Sequence, residues 1–545
     1  MARNLKRRDF IKLSSVVALG TVAAACAPQV ETPAVEQPTA AQGVEATKPP
    51  EAAPTTQPPA TAAPETAKKA GEPPMLADKV KSGALPPLAE RLPEKPLVVT
   101  DRQAIGVYGG EIRMVMFDPV WWTSFYDMYS DRMLTYSDMN TSLIVPNFLE
   151  SWEVTPDGKT WTFKMRKGMK WSDGQPLTTE DVRFWWEDHM ANKDINSSPW
   201  WQFRFGGENM KVDIIDDFTF RFTFVAPFGN FAAHMTRWTL NDGVVLPSHY
   251  LKQFHAKYTD EAKLVEAAKA AKLETWVQYY NSKVVAGVWG GPSGVIEFPN
   301  FMAWHAVQMP KEGLYLFERN PYYWKVDTDG NQLPYIDTAH LEYAANTEVT
   351  KLKIAQSELD IVGMHDVTIM EYPYYKDNEA KANYMVGDYI SSMGDRVTFF
   401  PNHVPYIDTD KVDDVLAKIV QDYRFVEALS IAIDREEINQ SIFYGQARMG
   451  PMSPMPSSKY FKESYGKAWA QFDKDAANKL LDDMGLNKGP DGIRLRPDGK
   501  KLTYVIEHSG VRVGPAVAKV AEMVAAYWHD IGIDASSKEI QDSLL

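Results

Sequence analysis

Between Asn147 and Trp186 the sequence reads NFLESWEVTPDGKTWTFKMRKGMKWSDGQPLTTEDVRFWW, and it leaves the backbone few options. Two runs of alternating side chains flank Pro156-Asp157-Gly158-Lys159. Gly158 can take the positive φ that a two-residue hairpin turn requires. Trp161, Phe163 and Met165 alternate with Thr162, Lys164 and Arg166, so one face of the second run is apolar. A second turn is expected at Ser172-Asp173-Gly174. Thr178 then offers an N-cap oxygen, with Asp181 three residues on, at the head of a helix. The block carries no catalytic pattern and predicts a structural unit.

A chain of 545 residues is too long for one core, so two or more lobes are expected. The net charge of −14 argues against nucleic acid as a partner, because a phosphate-binding surface needs clustered Lys and Arg. The single cysteine, Cys26, excludes an intramolecular disulfide and a thiolate metal cluster. Aromatic residues are abundant, with 16 Trp, 25 Tyr and 24 Phe.

The first 26 residues read as a targeting segment. Arg7 and Arg8 form a twin-arginine block, and the apolar run Leu13–Ala25 behind it is too short to span a bilayer. The block resembles a Tat export signal. Ala23-Ala24-Ala25-Cys26 resembles a lipobox in which Ala replaces the usual Leu, which implies lipidation at Cys26 and a membrane anchor. Residues 27–96 are expected to be a disordered tether, since the Pro-, Ala- and Thr-rich part that dominates it has almost no large apolar side chain to bury. As a coil, the part up to Pro74 reaches roughly 40 Å, and as polyproline roughly 150 Å.

Farther on, Gly109–Phe117 reads as a strand with Trp121 and Trp122 soon after it. Met210–Val225 reads as a hairpin around Asp216-Asp217, and Glu261–Tyr280 as one helix. Leu314–Arg319 is an expected strand, Thr347–Ser357 a helix and Leu359–Val362 a short buried strand. Helices are expected at Asp422–Ile433, behind Asp434-Arg435-Glu436-Glu437, at Lys474–Met484 and at Val517–Ile531. Such alternation predicts an α/β second lobe. Asp327, Asp329 and Asn331 begin a calcium-loop spacing, but Gln332 and Thr338 stand where Gly and Glu are needed, so a polar turn is expected.

LESWEVTPDGKTWTFKMRKGMKWSDGQPLTTEDV closely resembles the signature of family 5 extracellular solute-binding proteins, the peptide-binding components of ABC importers. VDIIDDFTFRFTF, LPSHYL, LFERNPYYW, IAQSELDIV, RFVEALSIAIDREEI, FDKDAANKLLDDMG and VAEMVAAYWHDIGI follow in the family's order. The resemblance covers Gly109 to the C-terminus. It departs at Gly291–Glu297, where the family's GTGPY-like turn is replaced, and at Leu545, where the family normally continues for well over a hundred residues. The chain is therefore expected to be C-terminally truncated, lacking part of the second lobe and several cleft residues.

The resemblance implies a two-lobed α/β fold of the periplasmic-binding-protein type. The expected division is lobe 1 over 97–345, with an extra subdomain at about 136–245, and an incomplete lobe 2 over 346–545. It implies a monomeric, extracytoplasmic protein of the cell envelope that captures oligopeptides, or oligosaccharides, and hands them to a membrane permease and its ATPase subunits. No cofactor or metal is implied. HExxH, GxSxG and GK[ST] patterns are absent, so an exported hydrolase is the weaker expectation. The best local clue to a ligand is the tryptophans: Trp121, Trp122, Trp200, Trp201, Trp238 and Trp304 stand near loops, where an indole face suits a sugar ring or a peptide side chain. Asn402 matches the family's strand-end Asn near the hinge, with a turn as its structural alternative.

Overall fold

A computed structural model describes residues 71–541, apart from 101–103, 117–124, 126–127, 129, 138–142, 237–243, 289–295, 297, 312, 345, 364–366, 368, 388–396, 409–410, 457, 459 and 510–514. The expectations on Arg7, Arg8, Cys26, Trp121, Trp122 and Trp238, and on the tether up to residue 70, lie outside the described residues.

In chain order the strands of the first half are β1 (Leu97–Val98), β2 (Glu111–Met116), β3 (Leu134–Tyr136), β4 (Ile144–Pro146), β5 (Leu149–Val154) and β6 (Thr160–Met165). They continue with β7 (Arg204–Phe205), β8 (Glu208–Asn209), β9 (Lys211–Asp216), β10 (Thr219–Thr223), β11 (Trp304–Lys311), β12 (Leu314–Arg319), β13 (Lys325–Val326) and β14 (Thr338–Tyr343). Two four-stranded sheets result, ordered β5-β6-β10-β9 and β11-β12-β14-β2. The first is antiparallel throughout; in the second, β14 and β2 run parallel.

A turn forms between β5 and β6 at the expected place, but it is longer than a two-residue hairpin, with the Thr155 amide donating to the Thr160 carbonyl across it. Gly158 sits at φ 68°, and the Asp157 carboxylate accepts from the Thr155 hydroxyl (2.5 Å) and the Lys159 amide (3.1 Å). Trp161, Phe163 and Met165 are all buried; Phe163 stacks on Phe220 of β10 at 5.3 Å. The capping box also forms. Asp181 accepts from the Thr178 amide, from the Trp171 indole and, with its other oxygen, from the Ser248 amide. It therefore ties the helix Thr179–Arg183 to the turn before it and to the segment that closes the subdomain.

The second half adds β15 (Tyr406–Asp408), β16 (Lys411–Val412) and the parallel pair β17 (Thr503–His508) and β18 (Asp534–Glu539). Four of its helices open on aspartates: Asp413, Asp422, Asp434 and Asp473 each accept from a backbone amide two or three residues on. Buried Arg494 donates to the Asp482 and Asn478 side chains and to the Leu486 and Ile531 carbonyls, which joins the helices Lys474–Asp483 and Pro515–Asp530. Gly532, at φ 92°, ends the latter helix; a Cβ there would lie 2.9 Å from the Gly492 carbonyl oxygen.

Two separate hydrophobic cores follow from this arrangement. One gathers residues from Ile112 to Leu341 and the other from Ile419 to Ile533. Each has its own helices and its own parallel strand pair, as a two-lobed α/β fold requires. Among the described residues no helix is long and apolar enough to cross a membrane.

Three expectations are corrected. Glu261–Tyr280 is not one helix but two, Glu261–Ala270 and Trp276–Val288. Lys272 turns left-handed at φ 61°, and Thr275 starts the second helix by accepting from the Gln278 amide. Leu359–Val362 forms no strand, and Ile361 is 45% exposed. Its backbone is held instead by Asp360, which pairs side chain to side chain with Arg113 of β2. Finally, residues 71–96 do not belong to a loose tether. Leu76, Leu88 and Arg91 are buried, and β1 pairs in parallel with β13.

Candidate functional site

In open α/β sheets ligands bind beyond the carboxyl ends of parallel strands, where loops diverge and helices begin. Among the described residues the two longer parallel pairs offer such ends, while β1 and β13 pair over two residues each. In the first, β2 and β14 finish at Met116 and Tyr343, the latter 43% exposed. Trp121 and Trp122 follow β2 in the sequence. In the second, β17 and β18 finish at His508 and Glu539. His508 is buried, and among the described residues its Nδ1 has no hydrogen-bond partner.

Trp200 and Trp201 have different surroundings from each other. Phe203 is fully buried and fixes the short turn Trp201–Phe203; Trp200, half-buried, stacks over it at 6.5 Å. Trp201 is 60% exposed. Its ring meets His234 edge to face at 5.2 Å, and His234 leans on Phe228 at 5.4 Å, which in turn stacks on Phe205 at 4.4 Å. The Arg204 guanidinium donates to Ser198 beside it. An exposed indole backed by a fixed aromatic stack offers a flat apolar face with a polar edge, suited to a sugar ring or a ligand side chain. Sequence spacing finds Trp201 but not His234 or Phe228, because only the fold of the 198–234 stretch brings them to it.

Trp304 belongs elsewhere. It lies in β11, buried, with its indole N–H donated to the Ile336 carbonyl at 3.2 Å and its ring near Phe125. Its polar edge and its face are both used inside the first lobe, which corrects the expectation that it stands near a loop as a ligand contact. Asn402 forms a turn: its side-chain oxygen accepts from the Val404 amide at 3.0 Å, and its backbone hydrogen-bonds Tyr504. Asp327 likewise holds a turn. One carboxylate oxygen accepts from the Asp329 and Asn331 amides, the other from the Asn331 side chain and the Tyr335 hydroxyl. Burial pushes this carboxyl up, but those hydrogen bonds outweigh it and hold it below the usual range.

The profile of the family described as "Bacterial extracellular solute-binding proteins, family 5 Middle" matches residues 144–277 and 304–544. The chain belongs to this family. It is similar to the periplasmic alpha-galactoside-binding protein of Rhizobium meliloti (strain 1021), 27% identical over 448 residues, covering 77% of this chain and 60% of that protein. It is also similar to the dipeptide-binding protein of Escherichia coli (strain K12), 23% identical over 452 residues, 79% of this chain and 70% of that one. A solved structure of an oligopeptide-binding protein OppA is 34% identical, with TM-score 0.64 over 88% of this chain and 73% of its own. The fold is shared with the periplasmic binding protein MelB from Agrobacterium fabrum C58, solved with stachyose (TM-score 0.63, 23% identity, 87% of this chain and 71% of that one). This family 5 chain thus spans about 60% of the length of the alpha-galactoside-binding relative.

Proposed function

We propose that this family 5 chain is the extracytoplasmic capture component of an ABC importer, enclosing an oligosaccharide between its two lobes and passing it to a membrane permease and its ATPase subunits. The observation that carries solute capture is the exposed Trp201 face, fixed from behind by His234 and Phe228 and flanked by Trp200. A sugar ring buries its apolar C–H face on an indole while its hydroxyls bond at the edge. The likeness to the alpha-galactoside-binding protein over 77% of the chain supports the same class. Trp121, Trp122 and Trp238 are further proposed contacts. Export by the Arg7-Arg8 signal and anchoring through a lipid on Cys26 would place a monomer at the outer face of the membrane.

The second reading keeps the mechanism and changes the solute to an oligopeptide. The 34% identity to the oligopeptide-binding protein favours it. Peptide recognition would rest on backbone hydrogen bonds along an extended chain rather than on stacked indoles.

A thermal-shift screen of the full chain against raffinose, stachyose and peptides of two to eight residues separates the two. A hundredfold excess over Kd adds about 2.7 kcal/mol to the folded state. Stabilisation by the galactosides, much reduced in Trp201→Ala with its unliganded melting temperature unchanged, is the expected result. Stabilisation by peptides alone overturns the sugar reading, and a shift from neither class overturns solute capture.

A further inference from the structure

We propose that His508 donates a hydrogen bond to the captured solute from the second lobe. The inference rests on the solute-binding reading above. By strand alternation Tyr504, Ile506 and His508 of β17 share one face. Tyr504 meets Phe425 and Trp528, and Ile506 lies in the second core. The row is core-forming until its last member, where an imidazole stands at the carboxyl end of a parallel strand.

His508 is 9% exposed, and its Nδ1 is buried with no hydrogen-bond partner among the described residues. Orphaned buried N–H groups are rarer than under-used acceptors, so the ring proton belongs on Nε2. Nε2–H is then the donor left to the ring, and a solute oxygen, such as a sugar hydroxyl or a peptide carbonyl, can accept from it. Packing does not account for a histidine here. An apolar side chain of similar shape would fill the site without leaving a buried nitrogen unsatisfied. The backbone beneath the ring is fixed: β17 and β18 pair without a shift from Thr503–Asp534 to His508–Glu539, and the Ile540 amide donates to the His508 carbonyl at 2.9 Å. A donor held this way is suited to selecting one orientation of solute.

The test is calorimetric titration of the full chain with stachyose, and in parallel with tri-alanine, for the wild type, His508→Leu and His508→Gln. His508→Leu is expected to bind about tenfold more weakly, the effect of one lost hydrogen bond to a buried acceptor. His508→Gln keeps an N–H at the same reach and is expected within about threefold of the wild type. Without solute, both variants should melt within about 2 °C of the wild type, or His508→Leu slightly above it. Wild-type affinity in His508→Leu overturns the inference. So does a loss of affinity matched by a fall of several degrees in the unliganded melting temperature, which marks a structural role. A wild-type protein that binds neither probe fails the solute reading itself, and this inference with it.

Discussion

Two histidines, His189 buried and His305 half-buried, make the folded chain acid-sensitive. Burial depresses the His189 imidazole to about 4, with His255 adding to the effect, and the Tyr280 hydroxyl lies 3.3 Å from its Nδ1. Burial likewise brings His305 to about 4, and its Nδ1 has no partner among the described residues. Both take up protons more readily in the unfolded chain. Their contribution is therefore complete above roughly pH 6.5 and is lost as pH falls towards 4, each worth on the order of 3 kcal/mol at the acid end. Melting temperatures measured from pH 7 to pH 4 should fall steeply across this window, and less steeply in His189→Gln. A flat profile contradicts the assignment. At this scale sequence reading succeeded where the signal is local: Thr178 and Asp181 are three residues apart and form the capping box they spell. It did not separate Trp304 from Trp201. Both stand near loops in the sequence, and only strand pairing decides that one indole is buried and the other exposed.

Among the elements, hairpins were the most legible, because turn residues and period-two alternation agree in them. The break at Lys272 was not: a lysine gives no warning of a left-handed turn, and the apolar stripe runs on through Val277. The stretch 71–96 is hard to read from sequence for a related reason. Its anchors are few and far apart, so composition reads it as part of the tether. Arg91 is the principal one. Fully buried, it donates to the Pro86 and Pro321 carbonyls and to Gln332, and pairs with Glu72. Lys95 and Glu94 then reach the subdomain through Glu150 and Lys167. This segment joins the β5-β6 hairpin to the sheet that contains β12 and β14. Replacing Arg91 with Leu leaves those carbonyls and Glu72 without their cation and is expected to cost about 3 kcal/mol. Urea unfolding reads the change. A midpoint within error of the wild type would mean that 71–96 adds nothing to the first lobe.

For the molecule as a whole, motif order pointed to the family, and the two cores at Ile112–Leu341 and Ile419–Ile533 carry the two-lobed fold it implies. The solute class was not legible. Stacking on an indole is open to a sugar and to a side chain alike, and of the tryptophans expected at the site Trp201 is the most exposed among the described residues. Capture by a two-lobed protein works by closure, in which solute bound between the lobes favours the closed arrangement by its differential affinity for it. Small-angle X-ray scattering from the full chain, with and without stachyose at a hundredfold excess over its Kd, tests that directly. Enclosure between the lobes predicts a smaller radius of gyration with the sugar bound. An unchanged radius at full occupancy would contradict enclosure between the lobes.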